Sequence, residues 1–224
     1  MRIFVVNAYP ERKEKYLSDK RYELFPAVWW ENVSEEEVDK YHFRHNAKLE
    51  YRKKVVACSL SHKKILSKII QENLENTIII EDDALIDFER LDELENLNEF
   101  IYIGGDVTSP LLKNMKSFKE NDKQELQNLF MKGINQIDPE IFKIGQTCGY
   151  FVPNFKVAQD ILSNIPHGKK ERGIDTEYIY LQKKKIINKF LFPAISVLHL
   201  EDAKNGFTYS NSWSHKLYDD QKFY

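Results

Sequence analysis

The sequence predicts an α/β fold with a mostly parallel sheet, on three observations. Short β-branched runs recur along the chain, segments with apolar residues at three- and four-residue spacing lie between them, and two of the runs stop abruptly in acidic or glycine-rich turns. The 224 residues suit one large domain, and no internal repeat or low-complexity linker divides them, so 1–224 reads as a single domain.

Residues 2–7 (Arg-Ile-Phe-Val-Val-Asn) form a first buried strand, and Pro10 ends regular structure after it. A short apolar piece at 24–30 is interrupted by Pro26, and 34–53 has no clear period, reading as irregular or partly helical. Over 53–72, Val55, Cys58, His62, Ile65 or Leu66, and Ile69 share one helical face, opposite Lys54, Lys64 and Lys68. Residues 77–80 form a strand that runs directly into Glu81, Asp82 and Asp83. Residues 100–103 form another, ending in Gly104, Gly105 and Asp106. The polar stretch 113–138 reads as a surface insertion with a short helix, either a lid or a solvated excursion. Residues 147–152 are strand-like. Pro153 and the capping candidate Asn154 open a helix carrying Val157, Ile161 and Leu162. A further helix follows Gly173, with Ile174, Tyr178 and Leu181 in register. A last strand at 192–200 reaches His199, and a polar, aromatic tail follows.

Composition removes several classes. Lys+Arg 33 against Asp+Glu 35 gives a net charge of −2, with no basic excess for a nucleic-acid backbone. No apolar run approaches the roughly 20 residues of a membrane span, and the N-terminus turns charged without a small-residue cleavage site. A cytoplasmic location is the expectation from those absent signals. Lys169, Lys170 and Lys183 to Lys185 read as a solvated face or as a peripheral contact with an anionic membrane. Cys58 and Cys148 make no disulfide framework and read as buried thiols. The 12 Tyr, 14 Phe and 3 Trp suit core packing, and also flat surfaces for sugars or bases. No P-loop, GxGxxG, CxxC, HExxH or GxSxG occurs.

The acidic strand end carries the chemistry. Ligands of open α/β sheets bind beyond the carboxyl ends of the strands. Glu81 and Asp83 share one side if the strand continues, and two oxygen ligands there suit Mg²⁺ or Mn²⁺; a solvated acidic turn is the equal alternative. His62 reads as a hydrogen-bonded core residue or a ligand. His199, late in its strand, reads as structural or as the completion of an N,O shell with Glu81 and Asp83. Gly104 and Gly105 permit close backbone approach at a ligand edge, and also make an ordinary turn.

Four separated segments, with a looser match near Asp175 and Pro193, resemble glycosyltransferase family 25. These are Val5-Val6-Asn7 with Arg12; Ala57-Cys58-Ser59-Leu60-Ser61-His62; Ile79-Ile80-Glu81-Asp82-Asp83-Ala84; and Gly149-Tyr150-Phe151-Val152. Ala57 stands where the family usually has Gly, and Ala8 follows Asn7 in place of Leu.

The resemblance implies a GT-A-type nucleotide-binding domain. It also implies inverting transfer of a hexose, galactose or glucose, from a UDP-sugar to a glycan, lipid-linked glycan or protein hydroxyl. Glu81, Asp83 and His199 would hold Mn²⁺ or Mg²⁺. Asn7, Arg12, Ser61, His62, Asp82, Gly104, Gly105, Asp106, Gly149 and Tyr150 would serve the donor. Asp175 is the candidate base, with Glu177 as its substitute, although Asp175 would serve equally as a helix cap. Three rival readings are a degenerate member that binds without turnover, an interaction domain using the aromatic tail (Phe207, Tyr209, Trp213, Tyr218), and a metal-dependent phosphohydrolase.

Overall fold

The computed structural model describes residues 1–43, 47–108, 130–140, 142–166, 171–192 and 194–198. Strands β1 (Arg2–Asn7), β2 (Tyr22–Pro26), β3 (Thr77–Glu81), β5 (Ile101–Thr108), β6 (Gly133–Gln136), β7 (Lys143–Val152) and β8 (Lys189–Phe192) form one seven-stranded sheet. Its order is β2-β1-β3-β7-β5-β8-β6. Strands β4 (Ala84–Ile86) and β9 (Ser196–Leu198) form a separate antiparallel pair. The helices are α1 (Glu14–Leu17), α2 (Glu35–Val38), α3 (Leu49–Gln71), α4 (Phe155–Asn164) and α5 (Ile174–Lys183).

The sheet is mixed. β1 pairs in parallel with both β2 and β3, and β5 with β8, while β7 lies antiparallel between β3 and β5 and β6 antiparallel to β8. Parallel pairing is therefore half of the whole, less than expected, because β-branched content marks a strand without marking its direction.

Both faces of the sheet are buried, which explains why its strands read as continuous apolar runs. Phe4, Val6, Ile79, Tyr150 and Val152 face a core completed by α3, α4 and α5. Ile3, Val5, Ile78, Ile80 and Phe151 face a second core, completed by Tyr16, β4 and Leu94. Asn154 caps α4 as expected, its Oδ1 accepting from the Val157 amide at 3.1 Å.

Three sequence expectations need correction. Helix α3 starts at Leu49 and not near 53, inside the stretch read as irregular or partly helical. The end of the supposed surface insertion belongs to the sheet: β6 pairs with β8, and Phe130 and Ile137 are in the core. That strand is short and lies at the sheet edge, with Met131 and Ile134 exposed, so its pattern resembled a solvated segment. Residues 109–129 lie outside the described residues. The strand expected at 192–200 is instead split between β8 and β9, which belong to different sheets. Pro193, between them in sequence, has no N–H to donate to a ladder.

Gly104 and Gly149, adjacent across β5 and β7, make room for Ser196. A Cβ on Gly149 would meet the Ser196 Oγ at 2.5 Å, and one on Gly104 would meet the Cys148 Sγ at 2.6 Å and collide with the Ser196 carbonyl. Gly105, at φ +148°, sits where the β5 register shifts, a backbone demand that glycine meets. Gly104 and Gly149 are packing glycines. Gly149→Ala is therefore expected to cost about 1–3 kcal/mol in denaturant unfolding and to leave nucleotide affinity unchanged at temperatures where the variant is folded. Lost affinity with unchanged stability would return Gly149 to the binding machinery.

Candidate active site

The carboxyl ends of the parallel strands β2, β1 and β3 open at one edge, where ligands of such sheets bind. A cleft of about 210 Å³ lies there. It is lined by the turn after β1 (Ala8, Tyr9, Arg12), the segment after β2 (Val28, Trp29, Trp30), one side of α3 (Lys54, Cys58, Ser61, His62) and Glu81 to Asp83.

Asp82 builds the floor. It is 3% exposed, and its Oδ2 accepts from the Ala8 amide (2.7 Å), the Tyr9 amide (2.8 Å) and Asn7 Nδ2 (3.2 Å). Its Oδ1 accepts from Arg12 Nη1 at 2.9 Å. Both oxygens are thus committed to holding the turn after β1, and Asp82 positions the cleft rather than offering itself to a ligand. Asn7 has the same duty, its Nδ2 also donating to the Tyr9 carbonyl. The Arg12 guanidinium lies 4.4 Å from the Tyr9 ring centre and 3.9 Å from Asp83 Oδ2. Ser61 ties down the segment after β2: its Oγ accepts from the Val28 amide at 2.8 Å and donates to the Ala57 carbonyl at 2.7 Å.

Glu81 and Asp83 are different. Asp83 Oδ1 is buried with no hydrogen-bond partner among the described residues, and Arg12 is its nearest recorded cation. Burial, then the Glu81 and Asp82 charges, push its pKa up to about 7. Burial, then Asp175 and Asp82, push Glu81 up to about 8. His62 is held neutral, its pKa lowered by burial to about 4 against the opposing pull of Asp175. His62 Nδ1 lies 2.7 Å from the Tyr150 hydroxyl and its Nε2 3.2 Å from Glu81 Oε1, so the ring is hydrogen-bonded at both nitrogens. Tyr150 therefore stands behind His62, one step removed from the cleft.

These shifts set a pH dependence. In the folded chain Glu81 and Asp83 hold protons to higher pH than the ordinary values of 4.5 and 3.8, so their contribution lowers stability as pH rises from about 4 and levels off above about 7 to 8. The depressed His62 acts oppositely, raising stability between about 4 and 6.5 and adding nothing above. In chelator, the wild-type melting temperature should thus fall relative to that of Asp83→Asn as pH rises from about 4 to 7, with the difference levelling off above. Parallel profiles would remove Asp83 as a source.

Asp175 arrives from a distant part of the chain. The Ile174 amide donates to Ser59 Oγ at 2.8 Å, and a Cβ on Gly173 would meet Val55 Cγ1 at 2.8 Å, so the start of α5 sits tightly on α3. Gln182 locks the same helix to β7, accepting from the Ile144 amide at 3.0 Å and donating to its carbonyl at 2.7 Å. Gly173 is the helix cap and Asp175 the second helical residue, with its charge felt at Cys58, His62 and Glu81. Glu177, two residues on, turns to the opposite side. It is 1% exposed, and burial raises its pKa against the pull of the Arg172 backbone and of the Arg172 and Lys63 charges. The structure does not bring it to the cleft.

Of the sequence candidates, Asn7, Arg12, Ser61, His62, Glu81, Asp82, Asp83 and Asp175 gather around this edge. Gly104 and Gly149 serve packing, and Gly105 meets a backbone demand of β5. Asp106 belongs to β5, but its side chain lies outside the described residues, as does all of His199. Tyr9, Trp29 and Trp30 were missed as cleft walls. The Trp29-Trp30 pair directly after an apolar piece was the available signal, obscured because a strand running into Pro26 reads as broken.

The family model for glycosyltransferase family 25, described as an LPS biosynthesis protein, matches residues 5–169. The chain belongs to glycosyltransferase family 25. The match spans well over half of the chain and holds the whole cleft, while Asp175 lies beyond its end. No curated protein matches the chain. The seven-stranded mixed sheet flanked by helices is the GT-A-like arrangement expected of a family 25 member. Among the described residues no helix is long and apolar enough to cross a membrane.

Proposed function

We propose that this family 25 protein transfers galactose or glucose from a UDP-sugar to a glycan hydroxyl, with inversion at the anomeric carbon. One observation carries the reading: Asp175, at the start of α5, brings its charge to Glu81 at the edge where Asp83 keeps a buried, unpartnered oxygen. That orphaned oxygen and the partly open Glu81 carboxylate suit a hard divalent cation such as Mn²⁺ or Mg²⁺. When bound, the cation would neutralise the departing diphosphate as a Lewis acid.

The remaining roles fall to the chain itself. Asp82 and Arg12 keep the turn after β1 rigid, so that the backbone of Ala8 and Tyr9 faces the nucleotide. Tyr9 and Trp29, whose ring centres are 6.0 Å apart, offer apolar surfaces for uracil or the hexose. Neutral His62, oriented by Tyr150, holds the Glu81 carboxylate in one direction. Asp175 accepts the proton of the acceptor hydroxyl as that oxygen attacks the anomeric carbon opposite the leaving group. The family description favours a lipopolysaccharide glycan as acceptor, ahead of a protein hydroxyl.

Calorimetric titration with UDP, GDP and UDP-hexoses, with and without Mn²⁺, tests the reading. UDP affinity that requires metal in the wild type and is lost in Asp83→Asn, with melting temperature kept or raised, is the expected result. Absence of binding by every nucleotide and metal pair would overturn it in favour of an interaction domain. Undiminished Mn²⁺-dependent UDP affinity in Asp83→Asn would remove Asp83 from the metal site.

A further inference from the structure

Cys58 and His62 lie one helical turn apart on α3 and point toward the same carboxylate, Glu81. Cys58 Sγ, His62 Nε2 and Glu81 Oε1 all lie within 4.8 Å of one another. We propose that these three side chains form a binding site for a thiophilic divalent cation, Zn²⁺ or Co²⁺. Its chemistry is separate from that of the oxygen-only site of Glu81 and Asp83.

The distances fit such an ion. With Zn–N and Zn–O bonds of about 2.0–2.2 Å and Zn–S of about 2.3 Å, the edges of a tetrahedral site span about 3.3–3.6 Å. The His62 to Glu81 edge is 3.2 Å and the Cys58 to Glu81 edge 4.0 Å, so rotamer-scale closure assembles three ligands. The second shell is already built: with a metal on Nε2, Nδ1 carries the proton and donates to the Tyr150 hydroxyl, 2.7 Å away. The thiol proton leaves to solvent on binding. All three ligands line the cleft, which gives the ion an entry path and a water for its fourth position. A sulfur and an imidazole among the ligands select Zn²⁺ or Co²⁺ over Mg²⁺ and Mn²⁺. Sharing Glu81 makes this ion and the donor's cation mutually exclusive; that consequence alone rests on the transferase reading.

The test is titration of the metal-free full chain with Co²⁺ followed by absorption, and with Zn²⁺ by calorimetry. The expected result is one equivalent bound, with a thiolate-to-cobalt charge-transfer band that Zn²⁺ displaces. Cys58→Ser should abolish the band and weaken Zn²⁺ by about tenfold or more. The other cysteine, Cys148, is buried with its Sγ 3.6 Å from the Ser196 carbonyl, so the band reports Cys58. A Co²⁺ complex without the band, a band that survives Cys58→Ser, or no binding overturns the site, whatever the outcome with UDP. Should the melting curve of Cys58→Ser betray misfolding, Cys58→Ala takes its place: loss of the charge-transfer band with weakened Zn²⁺ affinity supports the site, and a retained band or unchanged Zn²⁺ affinity overturns it.

Discussion

Asp175→Asn is expected to keep metal-dependent donor binding and to lower turnover by about 10²–10⁴-fold, the usual contribution of a positioned general base. The amide nearly preserves size and leaves the Ile174 to Ser59 and Gln182 to Ile144 bonds that seat α5 untouched, so the variant should melt close to wild type. It also removes a negative charge that raises the pKa of Glu81. The pH at which metal-dependent UDP binding is half-maximal should therefore move down, a readout that a purely structural Asp175 would not produce. Single-turnover kinetics with saturating donor give the decisive measurement. Near-normal turnover would end the assignment, and Glu177 would not inherit it, since that side chain is buried on the far side of α5 toward Lys63 and Arg172.

The second large effect is on stability. Asp82→Ala removes four hydrogen bonds at once, leaving the amides of Ala8 and Tyr9 without their acceptor and taking away the closest carboxylate of an Arg12 side chain that is only 9% exposed. Breaking a buried, multiply bonded ion pair from one side costs about 3–5 kcal/mol, a large part of the roughly 5–15 kcal/mol that holds a domain together. Urea unfolding should display that loss, whereas Asp83→Asn, one residue away, should be neutral or stabilising. Equal effects of the two substitutions would mean that the division of labour between adjacent carboxylates is wrong. The contrast follows from environment alone: Asp82 is saturated with donors, and Asp83 is buried beside an oxygen's worth of unmet demand.

Much of the site was legible in the chain before folding. The Glu81-Asp82-Asp83 end of β3, the Asn7 to Arg12 turn, and the Cys58 to His62 helix face are local patterns, because strand and helix periods decide which neighbours share a side. Glycines were less legible. Gly104 and Gly149 look like ligand-edge residues in sequence, yet they are required by Ser196, far downstream, and nothing local announces that contact.

Sequence by itself determined that β-branched strands and amphipathic helices share the chain, that a carboxylate-rich end follows β3, and that the net charge is near zero, all matters of composition and short period. Only the tertiary structure decided which carboxylate does what. Strand direction, the antiparallel entry of β7, and the seating of α5 on α3 are long-range pairings. They bury one aspartate among donors, leave one oxygen of its neighbour without a hydrogen-bond partner among the described residues, and bring the charge of Asp175, beyond the family match, to Glu81. A carboxylate's chemistry is set by its dielectric and its hydrogen-bond donors, and neither exists until the chain has folded around it.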